Sequence, residues 1–200
     1  QCSCNIGFVN DPNHPGTCVA TNALPGNSCI SPILLTGKSG TLTVANNEGP
    51  QGSGNDSIGS CGGSGPDQVF RFVIEEDQTR VLFTAGGYDT AMYIRKECGN
   101  SSSEIACNDD GFASNGSKIT KMLNKGEYFL WVDSYRVPGT AQLSYQFLSS
   151  PCTPTSCGST FTCVPSDNWE TFSCVCPANH VPYEGACVRD PCAGNPCQNN

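Results

Sequence analysis

"VFRFVI", Val69–Ile74, opens a series of runs in which apolar side chains recur with a period of two. The series continues through "RVLFTA" (Arg80–Ala85), "TAMYIRK" (Thr90–Lys96), "KITKML" (Lys118–Leu123), "EYFLWVDSY" (Glu127–Tyr135) and "AQLSYQF" (Ala141–Phe147). Successive side chains of a strand point to opposite faces, so this period suits half-buried strands. Clusters of Gly, Asn, Asp and Ser separate the runs at regular intervals, and no window carries a helical period. Residues 27–148 therefore read as an all-β antiparallel sandwich.

Outside that stretch the composition changes. Fifteen cysteines in 200 residues indicate an oxidising compartment, where disulfides replace part of a hydrophobic core. Zinc would call for Cys-x-x-Cys or Cys/His clusters. The close pairs present are Cys-x-Cys, at Cys2/Cys4 and Cys174/Cys176. A formal charge of −8 with ten Lys plus Arg argues against nucleic acid, because no basic run exists to displace counterions from phosphates. No stretch reaches the ~20 apolar residues of a membrane span.

Six cysteines crowd into "CTPTSCGSTFTCVPSDNWETFSCVCPANHVPYEGAC", from Cys152 to Cys187. With Phe172 in "FSCVC" and the small-residue turn in "YEGAC", residues 149–189 resemble an EGF-like module. The spacing alone leaves fifteen connectivities open. The resemblance implies Cys152–Cys163, Cys157–Cys174 and Cys176–Cys187. "CSCNIGFVNDPNHPGTCV" near the start resembles the second half of such a module (residues 1–19), implying Cys4–Cys18. "DPCAGNPCQNN" (190–200) resembles the beginning of another. Residues 20–26 are the expected linker. Cys2, Cys192 and Cys197 are expected to lack partners within this stretch, as in a window taken from a longer array.

The central region resembles the pre-peptidase C-terminal (PPC-like) jelly-roll domains. The likeness rests on "NSC", "CGGSGPDQVFRF", "GGYDTAMYI", "ECGNSSSEIACNDDGF", "LNKGEYFLWVDSY" and "PGTAQLSYQF", in that order. It implies disulfides Cys29–Cys61 and Cys98–Cys107. Twelve cysteines would then be paired, leaving the three at the ends.

Catalysis finds little support. His14 and His180 lie in short loops, no Gly-x-Ser-x-Gly elbow occurs, and every cysteine has a disulfide role or a missing partner. "YDTA" (Tyr88–Ala91) resembles an aspartic-protease loop, but that chemistry needs two carboxylates sharing a proton and the motif has no second copy. Asp89 reads as a turn cap, and no catalytic residue is expected. "CNDDG" offers Asn108, Asp109 and Asp110, with Asp89 across the sandwich, as oxygen ligands for a structural Ca²⁺; the competing reading is an Asx turn. The calcium-binding EGF-like pattern before a first cysteine is met only by Asp190, so calcium is not expected there.

Three Asn-x-Ser sequons, at Asn55, Asn100 and Asn115, fall in loops rich in Gly, Ser and Asn and are expected to carry N-glycans. "CGSTFTC" matches the EGF-family O-fucose pattern at Thr162.

Three functional readings follow. The expected one is an extracellular structural or adhesive protein, a glycosylated modular segment of a stalk, matrix or filament. Such EGF-rich proteins resemble those of tubular flagellar hairs (mastigonemes) of stramenopile algae. Its partners would be copies of itself or homologous modules, because the candidate strands have little Lys and no Pro to protect sheet edges. The alternatives are a receptor ectodomain with a protein or glycan ligand, and a non-catalytic appendage of a secreted hydrolase.

Overall fold

The alternating runs become strands, and the other elements arrange themselves around them. The computed structural model describes residues 8–10, 14–20, 25–46, 54–113 and 115–193. The chain divides into two compact units, Gln1–Leu148 and Ser149–Asn200.

In the first unit, β1 (Phe8–Asn10) and β2 (Cys18–Ala20) form an antiparallel hairpin. Two five-stranded sheets follow. One has the order β4-β12-β6-β10-β9, from β4 (Ser39–Asn46), β12 (Gly139–Leu148), β6 (Thr79–Gly86), β10 (Gly116–Leu123) and β9 (Gly111–Phe112). The other has the order β3-β5-β11-β7-β8, from β3 (Ile33–Leu34), β5 (Asp67–Ile74), β11 (Gly126–Ser134), β7 (Thr90–Arg95) and β8 (Glu104–Asn108). All pairings within both sheets are antiparallel except β3–β5. The sequence pattern missed β4 because only Leu42 and Val44 mark its inward face among Ser and Thr. A 3-10 turn, Ser101–Ser103, precedes β8. No helix among the described residues is long and apolar enough to cross a membrane.

Alternation sets what each sheet buries. From the second sheet, Phe70, Phe72, Ile74, Leu130, Val132, Met92 and Ile94 face inward; Val44, Ala141, Leu143, Val81, Phe83 and Ile119 meet them from the first. Phe72 is the centre of an aromatic group. Its ring lies 5.2 Å from Phe83, 5.6 Å from Tyr128 and 5.3 Å from Phe147, joining both sheets.

The outer face of the second sheet is also covered, and this explains why β7 is buried at every position. Residues 54–66 lie over it, and Val69, Tyr93, Cys98 and Trp131 form a second, smaller cluster there. The covering corrects the expected pairing of the sandwich cysteines. Cys29 is bonded to Cys98 and Cys61 to Cys107, with Cα atoms 5.7 and 5.6 Å apart. The expected pairs, Cys29–Cys61 and Cys98–Cys107, joined cysteines close in sequence. The covering loop instead brings Cys61 over β8, and the segment around Cys29 reaches Cys98 on the same outer face. Gly26, assigned by expectation to a linker, already belongs to the sandwich: Val69 N–H donates to its carbonyl at 2.8 Å.

The second unit consists of two hairpins: β13 (Thr162–Pro165) with β14 (Phe172–Val175), and β15 (His180–Tyr183) with β16 (Ala186–Arg189). Disulfides join Cys152 to Cys163, Cys157 to Cys174 and Cys176 to Cys187. Among its described residues only Cys187 is a buried hydrophobic side chain. Cys18 and Cys192 are both disulfide-bonded. For Cys192 this corrects the expectation of a missing partner, since a thiol in an oxidising fold pairs with whichever thiol comes within reach. Cys2, Cys4 and Cys197 lie outside the described residues.

Candidate functional site

On the covered face, the odd-numbered residues of β5, β7 and β11 share one side. Asp67 stands opposite Asp133, Val69 opposite Trp131, and Trp131 opposite Tyr93. The Tyr93 and Trp131 rings stack at 6.0 Å, with the Arg95 guanidinium 4.7 Å over Tyr93. Arg95 fastens the covering loop by donating to Ser57 Oγ at 2.5 Å and to the Ile58 carbonyl at 2.8 Å. It also stands 3.6 Å from Glu104 Oε2. Glu104 in turn accepts from the Ser60 N–H and hydroxyl.

Asp67 and Asp133 are fully buried. Asp67 Oδ2 accepts from the N–H groups of Asp56 and Ser57 at 3.0 and 2.9 Å. Asp133 Oδ2 is 3.4 Å from the donating Tyr93 hydroxyl. The second oxygen of each carboxylate, Oδ1, has no hydrogen-bond partner. Directly opposed like charges are unfavourable in a sheet, and burial adds to the cost.

Burial pushes the Asp67 carboxyl up to about 7, against the lowering effect of the Ser57 N–H. Burial, reinforced by the charge of Asp67, pushes Asp133 up to about 8. Burial also raises Tyr93. The charge of Arg95, which stands beside Glu104, works against the rise at Asp67. With both aspartates fully buried, the pair is closed to a substrate.

The loop packs on this face through glycine. Gly63 has φ +91°, and a Cβ there would meet Asp133 Oδ2 and lie 2.5 Å from its Cγ. Gly63→Ala is expected to destabilise the unit by roughly 2 kcal/mol or more, since positive φ and lack of space act together. Urea titration against the wild type measures this; a change below about 0.5 kcal/mol would show that the loop does not press on Asp133.

The residues singled out in the sequence are placed elsewhere. Asn108 Oδ1 accepts from the N–H groups of Asp110 and Lys118 at 3.1 and 3.0 Å, an Asx-type turn. Asp109 and Asp110 follow it at the end of β8. Asp89 lines a hollow of ≈ 230 Å³ with Tyr88 and Asn115. No group of three or more His, Cys, Asp or Glu side chains that could hold a metal forms among the described residues. The three sequon asparagines are exposed. Asn55 Nδ2 donates to the Ser64 carbonyl, and Asn100 caps the 3-10 turn by accepting from Ser102 N–H. Thr162 is exposed on β13; His14 and His180 are exposed.

Sequence reading missed Asp67, Asp133, Tyr93 and Arg95. The available signal was their shared parity with Val69 and Trp131, but that parity alone assigns them to an open face.

No family model matches the chain, and no curated protein matches it. Among solved structures, it is similar to the pre-peptidase C-terminal domain of collagenase from Bacillus anthracis, with 15% identity and a TM-score of 0.42 over 57% of this chain and 93% of that one. It is also similar to Aeromonas hydrophila PliG, a periplasmic lysozyme inhibitor of g-type lysozyme. There the identity is 12% and the TM-score 0.36, over 57% of this chain and 94% of the other.

Proposed function

We propose that this chain is a non-catalytic, extracellular segment of a glycosylated modular protein, with a structural or adhesive role in a stalk, matrix or filament. The observation that carries the reading is that both compact units are disulfide cross-linked, with Cys29–Cys98 and Cys61–Cys107 in one and three bonds in the other. Such cross-linking belongs to oxidising, extracytoplasmic compartments. The first-to-third, second-to-fourth and fifth-to-sixth order in the second unit supports its reading as an EGF-like module. Exposed Asn55, Asn100 and Asn115 support surface glycans, and exposed Thr162 an O-linked sugar.

The partner in this reading is a further copy of the chain. β4 ends its sheet, and among the described residues only β12 pairs with it. Its eight residues, SGTLTVAN, contain neither Lys nor Pro. An edge without these guards can pair with another chain. The secreted protein is therefore expected to carry sugar on at least one of the three asparagines and to sediment as an assembly. Thr43→Lys, which places a charge on β4, should return it to monomers. A bare protein that sediments as a monomer at all concentrations would overturn the proposal, and any contact between copies should bury more than about 1,000 Å².

A further inference from the structure

Asp67 and Asp133 are register partners on β5 and β11, and side chains at such positions share one face with Cβ atoms about 4.5–5.5 Å apart. Residues 54–66 close over both. The N–H groups of Asp56 and Ser57 donate to Asp67 Oδ2, and a Cβ on Gly63 would lie 2.5 Å from Asp133 Cγ. Each carboxyl keeps one buried oxygen, Oδ1, without a partner. The neutral acid is the form that burial favours there, because an ion would lack water on that oxygen and face a like charge across the strands. The neighbours do not reverse this. Arg95 from β7 is engaged by Ser57, Ile58 and the Glu104 carboxylate of β8, and its pull on Asp67 is weaker than the effect of burial. Asp56 from the loop adds negative charge beside Asp67, and Asp67 adds it beside Asp133. Tyr93 from β7 and Tyr88 from the β6–β7 turn are phenols that burial keeps neutral.

We propose that Asp67 and Asp133 form a proton-operated latch: residues 54–66 stay closed over the sheet while the pair is protonated and lift from it when both carboxyls ionise. Ionisation places two opposed charges under the loop, and water reaches them only if the loop moves. The sheet beneath does not need to move, since β5, β11 and β7 are joined by their own hydrogen-bond ladders. The Cys61–Cys107 bond keeps the loop tethered, so the change is a local, reversible opening that uncovers Tyr93 and Trp131. Its direction follows from proton binding. Burial raises Asp67 to about 7 and Asp133 to about 8 in the closed state, whereas an unfolded aspartate titrates at about 3.9. The closed state therefore binds more protons over that interval. Its stability, complete below about pH 4, falls as pH rises to about 8.

The test uses the full chain carrying Trp169→Phe, which leaves Trp131 as the only tryptophan. Trp131 is 2% exposed in the closed state. Its emission should be blue and resistant to acrylamide at about pH 5, where the pair is protonated. At about pH 9 it should shift to the red and quench readily, return on re-acidification, and leave the far-ultraviolet circular dichroism of the sheets unchanged. The Asp67→Asn, Asp133→Asn double variant should keep the closed emission at both pH values, while Asp109→Asn, Asp110→Asn should respond as the parent does. The carboxyl carbon shifts of ¹³C-labelled aspartate report on the unaltered pair directly. Both carboxyls should titrate above about pH 6, and the unfolding constant in urea should rise at least about tenfold per pH unit from about 5 to about 7. Asp67 and Asp133 carboxyls that titrate at about 4, or Trp131 emission identical at both pH values, would overturn the proposal.

Discussion

Phe72→Ala is expected to lower the stability of the sandwich by about 3–5 kcal/mol, the range for removing a large aromatic side chain from a packed core. Phe72 has no solvent exposure and touches rings from both sheets: Phe83 edge-on, and Tyr128 and Phe147 stacked. Truncation removes three aromatic contacts at once and leaves a cavity between layers that are each tied by their own hydrogen-bond ladders and cannot easily collapse into it. A domain has about 5–15 kcal/mol in total, so the loss is a large share. It should appear as a lower urea midpoint with an unchanged slope. Phe72→Leu should cost much less because it keeps most of the volume. A loss below about 1 kcal/mol for the alanine variant would mean that the two sheets are not held by this aromatic group.

The Cys157→Ser, Cys174→Ser double variant is expected to unfold the second unit while leaving the first intact. This bond closes 17 residues of sequence, and a loop of that size contributes about 3 kcal/mol by the chain-entropy argument. Nothing else in the unit can offset the loss. All residues of β14 and β15 are exposed, and the hairpins bury no apolar side chain beyond Cys187. Limited proteolysis should cut the variant within residues 149–189 at protein concentrations where the wild type resists, with residues 25–148 protected in both. Equal resistance would show that the two remaining bonds hold the unit. The contrast with the sandwich is one of means: the first unit rests on burial and the second on covalent cross-links.

Six of the strands were legible in the sequence because alternation is a local property. Val69–Ile74 lies within β5 and Ala141–Phe147 within β12, and the inward set of Phe70, Phe72, Leu143 and Phe147 follows from parity alone. The all-β class and the dependence of the second unit on cysteine were legible for the same reason: composition and period need no knowledge of the chain path. What the tertiary structure decided was which surface covers which. Parity places Asp67, Tyr93, Arg95, Trp131 and Asp133 on the outer face of their sheet, where an isolated pattern would leave them in water. The path of residues 54–66 over that face buries them and brings Cys61 to Cys107, the segment around Cys29 reaches Cys98, and the register of β5 with β11 sets Asp67 opposite Asp133. Side-chain direction is set by the neighbouring residues, but burial is set by segments tens of residues away, and no local period records them.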